Sequence, residues 1–515
     1  MDSTRGRGST RGGRYVSRGT RGSAVGRAGG RGAWPPSSPT SNTAYANPTP
    51  PTSPSFYPPP RSETPVTLPS DRDIMAGLHA SPLKTLRVPN LGSGASNTAV
   101  TIKNLKPLGS YNWTTAATPT IVVPGTPRAW MDRRLPIQVA ADTGIVFVDQ
   151  NSHHAPNGQT LVPLIAAVDK AHEINCRNAR VAEMPFDWAD EQIDFITDRN
   201  GLRKLLRWID MRQAYSTAIP AQTDERRLKD WRIDMQLAPG NRTVLFNRWE
   251  KRDQEQMGGF SYGFNFEKAT TTAARGVAES SGHHRIISYV SELHSKRLFP
   301  TQLRQSFEGL KMVVRFEVDA YIPTPLSSSS ASDLDDLVGR LANMNVSKTP
   351  PTSLSSQHDY AASLTSTRAT ASPEPVTLDN GLTVLEGGTH IPHTSLVELT
   401  TRTERRAQQM DWPENFPQLF LAQTPNHFVG VHNRGRFASV VKRQLGRGEF
   451  AQVEQQVQPS LRILGAVLKE IAALVKAYGE RGRLTLVCRE GQLRVYERVS
   501  MESCLPDEML ERFEE

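Results

Sequence analysis

The run GLKMVVRFEVDAYIP, residues 309–323, alternates strictly. Leu310, Met312, Val314, Phe316, Val318 and Ala320 interleave with Lys311, Val313, Arg315, Glu317, Asp319 and Tyr321. A period of two predicts a β-strand and puts Glu317 and Asp319 on one face of it. HTSLVELTTRT, 393–403, predicts a second strand, with Leu396, Glu398 and Thr400 sharing a face and the Leu399 carbonyl between the two polar side chains. PSLRILGAVLKEIAALVKAYGERG, 459–482, keeps apolar positions three and four apart and predicts an amphipathic helix, with Gly479 where a C-cap belongs. RLTLVCREGQLRVYER, 483–498, reads as a hairpin turning at Glu490-Gly491. NFPQLFLAQTPNHFVGVHN, 415–433, reads as a short helix carrying Gln418, ending near Pro425, and then the buried strand HFVGVH. MGGFSYGFNFEKATT, 257–271, places Glu267 at the start of a helix or within it.

Composition divides the 515 residues. Residues 1–34 hold eight arginines and one acid, so they carry +7 of the net +9, and the body is close to neutral. Gly and Arg build no core, so this tail is expected to be disordered and suited to single-stranded RNA through phosphate and base contacts. A Pro/Ser/Thr-rich linker follows to residue 70, and the body runs from 71 to 505. Residues 326–388 are Ser/Thr/Pro-rich and read as a disordered insertion within that one domain; 506–515 read as a C-terminal tail. Three widely spaced cysteines, Cys176, Cys488 and Cys504, fit neither a zinc site nor a disulfide scaffold and predict no disulfide partner. No apolar run reaches the roughly 18 residues of a membrane span, so no membrane partner is expected.

Taken alone, the Glu317/Asp319 pair reads as a solvated strand edge rather than a metal site, and Gln418 as a structural amide. Their order along the chain says more. A strand with Glu-x-Asp, a strand with Glu-x at the place of a lysine, then a helix and a strand resembles the PD-(D/E)XK nuclease core. Several carboxylates around one or two Mg²⁺ or Mn²⁺ ions suit phosphodiester or pyrophosphate cleavage, because the metal neutralises charge and activates water.

Five segments together resemble the DXO-like decapping nucleases, enzymes of RNA 5′-end quality control. FITDRNGLRKLL (195–206) is similar to the family's first motif, YGFNFEKATT to its Gly-Tyr-Lys-Phe-Glu segment, and RFEVDAY to its Gly-x-Glu-Val-Asp motif. VELTT stands at Glu-x-Lys-Thr, and FPQLFLAQTPNHFVGV at Trp-x-Gln-Ser-Phe-Leu with its strand. The resemblance covers most of residues 180–500. It implies an α+β fold with a mixed β-sheet core flanked by helices. It implies a divalent cation, Mg²⁺ or Mn²⁺, held by Glu267, Asp319, Glu398 and the Leu399 carbonyl, with Glu317 completing the acidic face. It makes Arg199 the phosphate-binding arginine and Gln418 the active-site glutamine. It implies hydrolysis of incomplete or NAD-type caps or of a 5′-triphosphate, a nuclear location with cytoplasm as a second possibility, and a nuclear 5′–3′ exoribonuclease as a partner.

Two departures stand out. Thr400 occupies the lysine's place and brings no charge, a loss of about 2–4 kcal/mol of transition-state stabilisation. Arg402, two residues on, shares that strand face and is placed to reach in. Arg315 and Phe316 replace the family's glycine region, so Arg315 is expected to narrow the pocket or bind phosphate. The alternative function is an RNA-binding protein, or an exoribonuclease activator, that does no chemistry.

Overall fold

The alternating run at 309–323 becomes a central strand of a broad sheet. The computed structural model describes residues 68–91, 99–182, 184–216, 229–273, 280–294, 309–323 and 375–514. The Arg/Gly-rich tail, residues 295–308 and residues 324–374, which include most of the expected insertion, lie outside the described residues. The strands that matter for the site are β1 (Ala99–Thr114), β2 (Phe195–Asp198), β3 (Ser280–His294), β4 (Leu310–Val318), β5 (Ala320–Tyr321), β6 (Leu396–Thr403), β7 (Asn426–Asn433) and β8 (Arg436–Gln444). The helices are α1 (Val162–Ala179), α2 (Arg199–Ser216), α3 (Gly263–Thr270), α4 (Trp412–Ala422) and α5 (Phe450–Tyr478).

Among the described residues the strands form a twelve-stranded sheet, a seven-stranded sheet and a two-stranded ribbon. In the larger sheet β2, β4, β3 and β1 are neighbours in that order, with β2 parallel to β4 and the other two pairs antiparallel. In the smaller sheet the order is β5, β6, β7, β8, and β6 runs parallel to β7. The architecture is α+β, mixed sheets flanked by helices, as the sequence implied.

Both faces of the large sheet are covered, so β4 alternates between two cores rather than between core and water. Met312, Val314 and Phe316 pack with Leu202 and Leu205 of α2, Phe416 of α4 and Leu461 of α5. Val313 turns the other way, toward Leu164 and Val168 of α1. A third core lies against the smaller sheet, where Phe266 of α3 meets Val397, Leu399, Phe428 and Phe437. There α3 is pressed close: a Cβ on Gly430 of β7 would sit 2.6 Å from Phe266 Cζ, so only glycine lets the helix approach.

Several expectations hold and several are corrected. The hairpin is Leu484–Arg489 with Gln492–Glu497, turning through positive φ at Glu490 and Gly491. Helix α5 ends at Gly479 as expected but begins at Phe450 rather than Pro459. Val453, Val457, Leu461 and Leu464 continue one buried stripe across the proline, and that packing outweighs the roughly 3 kcal/mol an interior proline costs. The insertion is shorter than 326–388. Val376–Thr377 and Thr383–Glu386 join the large sheet, with Leu382 and Val384 buried. The expected tail is also corrected: Asp507–Leu510 is helical, and Met509, Leu510 and Phe513 are buried in the α1 core. All three cysteines are free and buried. Among the described residues no helix is long and apolar enough to cross a membrane.

Candidate functional site

The site begins at the junction of β2 and α2. Phe195–Asp198 is fully buried, and Asp198 is its last residue. Asp198 takes two bonds from Arg315 on β4, Nε to Oδ1 at 2.7 Å and Nη2 to Oδ2 at 2.8 Å. Arg315 is 0% exposed and donates its remaining nitrogen to the Thr160 carbonyl at 2.6 Å and to Tyr111 Oη at 3.2 Å. Arg315 therefore neither lines a pocket nor meets phosphate; it pins β2 to β4 and so fixes where α2 starts.

Arg199 is the first residue of α2. Its Nη1 donates to Glu398 Oε2 at 3.0 Å and lies 3.5 Å from the Gln418 carbonyl. Its guanidinium stands over the Phe316 ring, 5.7 Å from the centroid. Gln418 Nε2 donates to the other oxygen, Glu398 Oε1, in a short contact. Glu398 is 5% exposed, the third residue of β6. Three residues from α2, β6 and α4, chosen from sequence alone, thus meet in one cluster.

Asp319 joins from a fourth direction. The expected single strand over 309–323 breaks there, and the chain passes from β4 in the large sheet to β5 in the small one. Asp319 Oδ2 accepts from the Leu399 backbone N–H at 2.7 Å, so it abuts β6 beside Glu398. Glu317 is exposed near the end of β4. Glu267 is half-buried on α3, and its carbonyl accepts from Thr271 Oγ1 at 2.7 Å.

Thr400 does not stand open in the lysine's place. Its hydroxyl is 3.0 Å from Nε2 of His427 on β7. His427 is 2% exposed, and burial, followed by the nearby Arg443 and Arg402, pushes its pKa down to about 3, so the ring is neutral at ordinary pH. Arg402 donates to Asn415 Oδ1 at 2.9 Å and to the Thr401 carbonyl at 2.9 Å, so it is engaged at the first turns of α4.

Sequence reading missed the rest of the arginine row on α2. Arg203 Nη2 donates to Glu414 Oε1 at 2.9 Å, and Arg207 Nε reaches both Glu414 oxygens at 3.0 Å. Arg199, Arg203 and Arg207 are spaced four apart, the signal of one helix face. In these ion pairs three guanidinium groups meet two carboxylates, Glu398 and Glu414. Burial, then repulsion from Arg207, pulls the Arg203 pKa down to about 9.

A family profile described as a domain of unknown function, DUF8563, matches residues 91–513. The chain belongs to the DUF8563 family. No curated protein matches this DUF8563 chain. Its fold is similar to that of Rai1 from S. pombe, at 11% identity and a TM-score of 0.42, over 80% of this chain and 96% of that one. It is similar to Rai1 from Scheffersomyces stipitis, solved with 3′-NADP⁺ and a calcium ion, at 12% identity and a TM-score of 0.44, over 84% and 99% of the two chains. It is similar to Dxo1 from K. lactis, solved with manganese, at 8% identity and a TM-score of 0.39, over 82% and 96%.

The DUF8563 site does not present a ready place for a divalent cation. Both oxygens of Glu398 are taken, one by Arg199 and one by Gln418. Among the described residues no three His, Cys, Asp or Glu side chains form a group able to hold a metal. Of the expected ligand set Glu267, Asp319, Glu398 and the Leu399 carbonyl, the structure brings Asp319 against β6 beside Glu398. A nearly buried carboxylate needs a counter-charge, and for Glu398 the Arg199 guanidinium supplies it.

Proposed function

We propose that this protein hydrolyses RNA 5′ ends, removing incomplete or NAD-type caps or a 5′-triphosphate. The observation that carries the reading is the meeting of Arg199, Glu398 and Gln418, brought together from segments about 200 residues apart at a 3.0 Å ion pair. The surplus of positive charge on α2 suits an RNA phosphate, which guanidinium groups grip through two parallel N–H bonds. Gln418 fixes the orientation of Glu398, and Asp319 is held against the same strand by the Leu399 N–H. The Arg/Gly tail adds salt-dependent RNA affinity. A nuclear location and a 5′–3′ exoribonuclease partner belong to the same reading, which rests on the motif resemblance.

The test is release of product from purified full-length protein with Mn²⁺ or Mg²⁺ on unmethylated-cap, NAD-capped and triphosphate RNA. Turnover is expected, falling by about a hundredfold or more in Glu398→Ala. A second reading, a 5′-end-binding protein without chemistry, is favoured by one observation: the uncharged Thr400, bonded to neutral His427, stands where a lysine would face the phosphate. No release from the unaltered protein, with release gained in Thr400→Lys, would establish that second reading.

A further inference from the structure

The smaller sheet carries a second cleft, at the far end of β8. It encloses about 890 Å³, within the roughly 300–1,000 Å³ of pockets that hold small ligands. Its floor is apolar. Trp130 packs edge-on against Phe428, 5.1 Å between ring centroids, and Ile322 and Val441 lie exposed beside them. Its rim is charged. Lys442 donates to both oxygens of Asp132, at 3.0 and 2.9 Å, and stands over the Phe428 ring, 5.2 Å from the centroid. Arg443 pairs with Glu449 through Nε. Arg447 is exposed and, among the described residues, pairs with no carboxylate. Both acids of the lining are thus answered, and one guanidinium is left over.

Two donors are also left over. Trp130 is 6% exposed, and neither its Nε1 nor Arg443 Nη1 has an acceptor among the described residues. A buried donor without an acceptor is costly, so the spare donors and the spare charge both call for a ligand rich in acceptors. A phosphate backbone is such a ligand, and guanidinium groups match its geometry. The apolar floor gives a base a surface to lie on. A peptide strand suits the place less well. Beyond Phe437 no further strand pairs with the outer edge of β8 among the described residues, and Lys442 and Arg443 on that edge discourage strand pairing.

Arg443 ties the cleft to the motif strand. It lies opposite His427 in the register of β7 and β8, and the His427 ring is bonded to Thr400 on β6 at 3.0 Å. At 4.7–4.9 Å per strand, β8 is about 10 Å from the strand that carries Glu398.

We propose that this cleft binds the nucleotides that follow the 5′ end of the RNA, with bases against the Val441 and Ile322 floor and backbone phosphates held by Arg447 and Arg443. The inference deepens the 5′-end reading and rests on it.

The experiment measures RNA binding to the full-length protein by fluorescence anisotropy over a salt series, in EDTA. The probes are 3′-labelled, fully 2′-O-methylated dinucleotide and octamer, each with a 5′-phosphate or a 5′-hydroxyl. Arg447→Glu should weaken the octamer about tenfold and flatten its salt slope by about 0.7, leaving the dinucleotide unchanged. Arg447→Lys, which keeps the charge, should keep the slope. If Arg447→Glu leaves the octamer's affinity and slope intact while a 5′-phosphate is still preferred, the cleft is overturned and the 5′-end reading stands. If a glutamate octapeptide displaces the octamer from the unaltered protein as well as unlabelled RNA does, the cleft is a surface for acidic peptides and the RNA assignment is overturned. If the 5′-phosphate makes no difference to either probe, the 5′-end reading fails and takes this inference with it.

Discussion

Asp198 and Arg199 are neighbours in sequence, yet each belongs to a different ion pair with a different character. Asp198 is buried with Arg315, whose side chain is 0% exposed, through two short bonds, and Arg315 is further satisfied by the Thr160 carbonyl and Tyr111. Arg199 meets Glu398 through one bond at a partly open position, with an amide on the other carboxylate oxygen. The first pair is saturated on every side and locks two strands. The second is incompletely made and sits where motif residues converge. The charges are alike, but Arg315 is 0% exposed and Arg199 12%, and the bonds made are fewer at Arg199, which separates a saturated scaffold pair from a less completely bonded one.

The contrast can be broken from either side. Arg315→Met should have the largest effect. It leaves Asp198 buried without a counter-charge and should cost about 3–5 kcal/mol, read as a drop in the urea midpoint. Such a loss is a large share of the roughly 5–15 kcal/mol that holds a domain together. Arg199→Gln should cost only about 1–2 kcal/mol in the same measurement, because Gln418 still serves Glu398. Equal losses for the two variants would erase the distinction.

The smallest effect concerns the neutral ring beside Thr400. His427 has its folded pKa held near 3, below the roughly 6.5 of an unfolded histidine. The unfolded chain therefore binds the extra proton between those values. Stability from this group is fully present above about pH 6.5 and is lost as pH falls toward 3, by up to about 1.4 kcal/mol per pH unit. His284 and His393, held near 3 and near 4, act in the same direction. His427→Gln should flatten the acid side of the stability profile without flattening it completely. An unchanged slope in pH-dependent urea melts would show that His427 is not a buried neutral base.

Much of the local structure was legible. The alternation at 309–323, the Glu490-Gly491 turn and the Gly479 cap were visible because each depends on a few adjacent residues. So were Arg199, Glu398 and Gln418 as members of one site, through motif resemblance. Other features were hidden. Pro459 looked like a helix start because only the packed stripe reveals that the helix runs through it. Residues 382–386 and 506–513 looked like insertion and tail because their few apolar side chains gain meaning only against a distant core. Arg315 looked like a pocket residue because its partner, Asp198, lies more than a hundred residues away.

The sequence by itself determined which segments form strands and helices and which polar residues are candidates for chemistry, since periodicity and turn chemistry act over a few residues. Only the tertiary structure decided which carboxylate answers which arginine. Ion pairing in a low-dielectric interior depends on distance and on every competing partner, and neither is written in the order of residues along the chain.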